Sequence, residues 1–272
     1  MNDLSPVQEI GGLLFKRDDL YRPFGAGEVN GGKLRQAMML IDSVSPTGVI
    51  TYCSIHSPQA PITAAAAKLH GIPCYILYGG TTRESVRTLP MPRMAMKYGA
   101  KISIAAKSGR HNVLHARARE LAGEKGYFIV QYGINIIGHG DVLLRAVAEQ
   151  VQSLPDALES LVMTCGSGIP AAGVMIGLHK YHKRVRHVHL VATGPDRNAF
   201  IHKTLQLYGA DRQYEYHDLY YAPGFVYEKG APTTYEGIAL HPHYEAKAFR
   251  WFIHSGIPKD GTLFWITGAE PR

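Results

Sequence analysis

Short β-rich runs alternate with helical stretches along most of this chain, and that alternation limits the fold more than any other feature. The run at 48–53 (GVITYC) precedes a helical stretch at 60–70, which Gly71-Ile72-Pro73 ends before a second run at 74–78 (CYILY). A helix around 92–98, a stop at Gly99 and a strand at 101–105 repeat the cycle, and a helix at 111–124 leads to a strand at 126–131. Beyond it the pattern predicts helices at 141–153, 171–181 and 244–255, with strands at 161–164, 188–193 and 261–266. Strands separated by helical crossovers predict an α/β fold with parallel-rich sheets flanked by helices. The segment 211–232 is rich in Tyr, Pro and Gly, shows no period and reads as a long loop.

Composition narrows the class. The 272 residues, 46% hydrophobic and 19% charged, suffice for one large domain or two small ones and exclude a disordered chain. Apolar runs fall far short of the roughly 20 residues of a membrane helix. The opening MNDLSPVQEI lacks the apolar core of a signal peptide. Three cysteines without CxxC spacing argue against a disulfide framework or a Cys-based zinc site, and a cytoplasmic location is expected. The formal charge of +7 suits either a small-anion site or contact with nucleic acid, and the densest basic stretch is 179–187.

Four segments carry residues suited to chemistry. Lys33 follows the Gly-rich stretch 25–32 at a helix start, where positive potential favours the neutral, nucleophilic amine. Thr164-Cys165-Gly166-Ser167-Gly168 joins a strand to a helix, so converging N–H groups and the helix N-terminus suit a phosphate; it is neither a Walker loop nor a GxGxxG fingerprint. Ser54-Ile55-His56-Ser57-Pro58 is a second such turn, fit for a carboxylate or simply a helix cap. Tyr235-Glu236-Gly237 is unremarkable by itself. No HExxH, GxSxG or paired CxxC pattern occurs, His241-Pro242-His243 reads as loop surface, and no metal site is expected.

In this order the segments resemble the pyridoxal-phosphate (PLP) enzymes of the tryptophan-synthase β type, fold type II. The nearest resemblance is to the branch of 1-aminocyclopropane-1-carboxylate deaminase and D-cysteine desulfhydrase. The matching stretches are 16–20, 31–35, 56–67, 164–173 and 235–237. The resemblance implies two α/β domains with PLP in the cleft between them: 1–35 with 141–272 as the larger, and 36–140 inserted. It implies that Lys33 holds PLP as an aldimine and shuttles the Cα proton, and that Gly166, Ser167 and Gly168 cradle the phosphate. By the same resemblance Glu236 faces the pyridine nitrogen, Tyr235 lies over the substrate face as a candidate catalytic nucleophile or acid–base, and Ser57 stands near the substrate as a catalytic candidate, its turn receiving the α-carboxylate. The family's asparagines before the lysine and after the serine are replaced by Gly32 and Pro58.

The expected activity is therefore a deaminase- or lyase-type reaction at the α-carbon of an amino acid. One alternative is a lyase or decarboxylase acting on an amino acid carried by a modified DNA base, as in phage hypermodification. Another is a protein that binds PLP or an anion without turnover. The partners expected are a small amino-acid substrate or an amino-acid-modified nucleic acid, no membrane, and a second copy in a homodimer.

Overall fold

The computed structural model describes residues 3–134, 139–223, 225–226, 229–230 and 232–268. In chain order the elements are β1 (Val7–Ile10), β2 (Leu13–Arg17), α1 (Gly32–Val44), β3 (Val49–Tyr52), α2 (Gln59–Leu69), β4 (Cys74–Gly79), α3 (Arg83–Thr88) and α4 (Pro90–Lys97). There follow β5 (Lys101–Ala106), α5 (His111–Lys125), β6 (Phe128–Val130), α6 (Gly140–Ala148), β7 (Ala157–Cys165), α7 (Ile169–Lys180) and β8 (Arg184–Ala192). The chain closes with α8 (Asn198–Leu207), β9 (Glu215–Asp218), β10 (Thr233–Tyr235), β11 (Ile238–Leu240), α9 (Glu245–His254) and β12 (Thr262–Ile266). This is the expected α/β class.

The chain divides into two compact units. One comprises the segment up to Pro23 with Leu143–Gly268; the other is Phe24–Val142. The sequence places the first boundary at 35, but it falls at 23, so Lys33 and all of α1 belong to the second unit, where α1 packs on α2.

In the second unit β5-β4-β3-β6 form a four-stranded, wholly parallel sheet. β3 (VITY) is buried throughout, as a strand covered on both faces must be. Ile50 and Tyr52 pack with Leu114 and Ala118 of α5. On the other face the alanines of α2, completely buried, let that helix lie close to the sheet and to α1 and α4.

The first unit carries the sheet β1-β2-β12-β7-β8-β9, parallel except for the β1–β2 hairpin. Its C-terminal strand β12 lies between β2 and β7, with Leu263 opposite both Leu14 and Leu161. α9 covers one face through Phe249 and Phe252, which pack with Phe15, Val162 and Phe264. α7 packs along β7 and β8 and against α8. Among the described residues no helix is long and apolar enough to cross a membrane. All three cysteines are buried and unpaired.

Several sequence expectations shift here. The helix expected at 141–153 ends as α6 at Ala148 and continues as a 3-10 turn, Glu149–Ser153. The expected loop 211–232 contains β9, a polar edge strand that presents no apolar period. The basic stretch 179–187 is split: Arg184, Arg186 and His187 lie on β8, where Arg184 and Arg186 alternate with the buried Val185.

Gly173 and Gly177 set how closely α7 approaches the preceding helix. A Cβ on Gly177 would lie 2.6 Å from the Ala148 carbonyl oxygen and 2.6 Å from Val151 Cγ2. Helix propensity alone favours Gly177→Ala by about 1 kcal/mol, whereas overpacking costs about 1–3 kcal/mol. The clash is with backbone, so the net effect expected in urea unfolding is destabilisation; a gain in stability would show that the contact is loose.

Candidate active site

Lys33 is the second residue of α1, half-buried, and follows a turn in which Gly31 adopts φ 89°. That backbone is open to glycine and strained for other residues. Gly31 has no side chain to cap the helix, and its carbonyl accepts from the N–H groups of Leu34 and Arg35. The loop leading to Lys33 is fixed by Glu28, whose carboxylate accepts from Lys97 Nζ and the Tyr98 hydroxyl. These bonds hold the Glu28 carboxyl below its ordinary pKa. The same hydroxyl accepts from Val29 N at 3.2 Å. Neither Glu28 nor Tyr98 belongs to a short motif, so the sequence offers no sign of this clasp.

Ser57 also lies in this unit, at the end of β3 before α2. Its N–H donates to Ser54 O at 2.9 Å, and its hydroxyl accepts from Gln59 N at 3.3 Å. Pro58 takes the N-cap position of α2 in helical conformation and supplies no side-chain donor. Gln59 does the bracing. Its amide nitrogen donates to Thr51 Oγ1 at 2.7 Å and to Gln131 O at 2.9 Å, and its oxygen accepts from Gly133 N at 2.6 Å. The turn that carries Ser57 is thereby tied to β3 and to the chain leaving β6.

The first unit contributes the strand-to-helix turn after β7. Gly168 adopts φ 82° and opens α7 without a side-chain cap. The first-turn amides of a twelve-residue helix, and its positive end, are thus left for an anion. A Cβ on Gly166 would meet nothing within 4 Å, so space is open above the turn. Cys165 beneath it is no nucleophile: burial pushes its thiol up to about 12.

At the same strand end lies an acid the sequence reading passed over. Glu245, the first residue of α9, is 1% exposed. Its Oε1 accepts from Thr267 N at 3.1 Å, Gly268 N at 3.2 Å and the Thr267 hydroxyl. Its Oε2 is buried with no hydrogen-bond partner among the described residues. Because Trp265 pairs with Met163, Thr267 stands level with Cys165, one strand over, about 4.8 Å away. Glu245 and the glycine turn therefore share one end of the sheet.

Tyr235 and Glu236 do not. The Tyr235 hydroxyl donates to Gly11 O at 3.1 Å and accepts from Lys259 Nζ at 3.2 Å, and its ring packs on Phe15 and Phe249. Gly11 is in the β1–β2 turn, at the start of β2. The register puts it level with Leu158, eight residues before Gly166, or roughly 26 Å along the strand. Glu236 is exposed at the tip of the β10–β11 hairpin, with φ 45° followed by φ 82° at Gly237. Two successive positive φ values are what a tight hairpin turn requires. The structure thus places Glu236-Gly237 in a hairpin turn, and the Tyr-Glu pair at the strand end is Tyr244-Glu245. His241, expected on the loop surface, is 6% exposed and packs against Tyr244 in a tilted pair with ring centroids 4.6 Å apart.

Residues 2–257 match the family of pyridoxal-phosphate dependent enzymes. The chain belongs to that family. Its cofactor is pyridoxal phosphate, and the buried orphan oxygen and uncapped glycine turn suit that group. Among relatives, a Salmonella phage ViI protein named O-seryl-dTMP PLP-dependent decarboxylase is 25% identical over 94% of this chain and 78% of its own length. A candidate 1-aminocyclopropane-1-carboxylate deaminase of Thermotoga maritima is 26% identical over 89% of this chain and 83% of its own. Among solved structures, a homologue of that deaminase superposes with a TM-score of 0.75 at 22% identity, covering 99% of this chain and 90% of the other.

Gln59 makes the second unit's turn testable. Gln59→Ala leaves the half-buried Gly133 N without its acceptor and takes one of two partners from the buried Thr51 Oγ1, which keeps Val130 O, a loss of about 1–3 kcal/mol. Urea unfolding should show a loss of that size, and an unchanged midpoint would show that the brace is replaced by water.

Proposed function

We propose that this PLP enzyme breaks a bond to the α-carbon of an amino acid, with Lys33 as covalent anchor and proton carrier. Gly166, Ser167, Gly168 and the first turn of α7 hold the phosphate, and Glu245, in place of Glu236, pairs with the pyridine nitrogen. The observation that carries this reading is the Glu245 carboxylate: one oxygen is held by three donors and the other is buried with none among the described residues, beside the glycine turn. A buried acceptor without a donor is costly, and a protonated ring nitrogen supplies the donor.

Bound there, PLP supplies an electron sink for the pair left when a Cα bond breaks. The chain's own groups do the rest. Lys33 takes or returns the proton at Cα once its amine is released. Ser57 and its turn receive the substrate carboxylate. Tyr235, held at Gly11, is left with a packing role, so no second acid–base group is assigned.

A second reading has one specific support. The phage relative is named for an amino acid carried on a nucleotide, so this chain's substrate is either a free amino acid or one attached to a nucleotide or DNA base. Charge does not decide between them. The basic depression of about 730 Å³ that includes His182, Lys183, Arg184, Arg186 and Arg212 lies at the starting ends of β7 and β8, away from Glu245.

The test is an absorbance spectrum of wild type beside three variants. Lys33→Ala should abolish the band of lysine-bound PLP and its loss on borohydride reduction. Glu245→Gln should shift the band or weaken retention of the cofactor, while Glu236→Gln should do neither. A Lys33→Ala protein with the wild-type spectrum would refute the assignment. Free amino acids and a seryl-modified thymidine nucleotide, assayed in parallel for ammonia, keto acid and carbon dioxide, separate the two substrate readings. PLP retention without turnover of either class would favour a non-catalytic protein.

A further inference from the structure

A group of imidazoles and a carboxylate lies on the α9 face of the first unit's sheet, away from the strand end just described. His189 on β8 stands directly opposite Glu215 on β9, and His217 follows two residues along β9 on the same face. His189 Nδ1 is 3.1 Å from His217 Nε2 and 3.4 Å from Glu215 Oε2, and His217 Nε2 is 4.0 Å from that same oxygen. Three ligand atoms on a tetrahedral ion with bonds of about 2.0–2.1 Å would stand about 3.3–3.4 Å apart. The observed spacings bracket that value.

The surroundings favour a cation over a bare hydrogen-bonded cluster. The side chain of His189 is 7% exposed, so its ring is out of water, and Trp251 of α9 covers His217 with ring centroids 4.1 Å apart. His187, two residues before His189 on the same face, reaches the other oxygen of Glu215 at 3.2 Å. A third histidine orienting a ligating carboxylate is the kind of outer support expected around a metal. Glu215 is half exposed, so water can fill the remaining position. Neither sequence spacing nor motif revealed the group, because its members come from strands 28 residues apart.

We propose that His189, His217 and Glu215 bind one zinc-class divalent cation, with His187 positioning the carboxylate. The ion clips the short edge strand β9, which pairs with β8 alone, onto the sheet. Its location on the sheet face makes it independent of the cofactor assignment.

The full-length chain with PLP bound, freed of metal by a chelator, is titrated with zinc sulfate in a calorimeter and, separately, with cobalt(II). One equivalent should bind, Tm should rise, and cobalt should give the visible absorption of a four-coordinate site. His189→Ala and Glu215→Gln should each lose at least tenfold in zinc affinity and the cobalt band, whereas His202→Ala, exposed on α8, should lose neither. Glu215→Gln keeps the shape of a half-exposed residue, so its result stands even if His189→Ala folds poorly. Equal zinc affinity in wild type and Glu215→Gln, or no cobalt band in the wild type, would overturn the proposal and leave scattered surface histidines as the only ligands.

Discussion

Lys16 is fully buried, and the first unit depends on how its ammonium is satisfied. Nζ donates to Ser5 O at 2.5 Å, Ser153 Oγ at 2.7 Å and Gln150 Oε1 at 3.3 Å. A buried charge is tolerable only when its donors are met. Here the acceptors come from two stretches of chain separated by the whole inserted unit. The same lysine lies over Trp265 of β12, whose indole N–H donates to Asp18 at 2.9 Å. Residues 16–20, which entered as one of the family-like motifs, thus join the beginning, middle and end of the chain. Arg17 completes the joint with a two-pronged bond to Asp19.

That joint explains why the glycine turn and Glu245 share one end of the sheet. With β12 held between β2 and β7 in parallel register, the chain leaving every central strand emerges on the same side. Ligand sites of open α/β sheets lie at the carboxyl ends of the strands for this reason. The glycine turn after β7, Thr193 after β8 and Thr267 after β12 are all brought there, and the Thr164 and Thr193 hydroxyls lie 3.3 Å apart. Glu245 is fixed by the backbone that follows β12, so its position is set by the sheet and is insensitive to its own rotamer freedom.

What the sequence revealed follows from which signals are local. The second unit's strands and helices were legible because apolar runs alternate with Gly-stopped helices, and the turns before α1 and α7 were legible because glycine-rich stretches mark the positive φ found at Gly31 and Gly168. The β1–β2 hairpin and the β10–β11 hairpin were not, their strands being too short to show a period. The Tyr-Glu pair shows the limit of local signals most clearly. Glycine after Glu236 made 235–237 look like the motif, yet that glycine is demanded by a hairpin turn. Alanine after Glu245 hid the pair that the sheet carries to the strand end. Which of two similar tripeptides stands at the strand end is a matter of register, and register is a long-range property.

β9 shows the converse. Its sequence, EYHD, alternates like any strand, but the alternation sets Glu215 and His217 on one face and Tyr216 and Asp218 on the other, leaving no apolar face. A strand without an apolar face contributes little burial at a sheet edge, so something polar must hold it there. Tyr216 does so on one side, its hydroxyl accepting from Arg197 N at 3.0 Å. On the other side the polar set faces His189, itself nearly out of water. Burying an imidazole against a second imidazole is unfavourable unless a proton or an ion sits between them. The two imidazoles can share one proton, and the Glu215 carboxylate, half exposed and held by His187, then stands outside the pair. A divalent ion meets all three groups at once, which makes the polarity that hid β9 in the sequence the reason the strand stays in place.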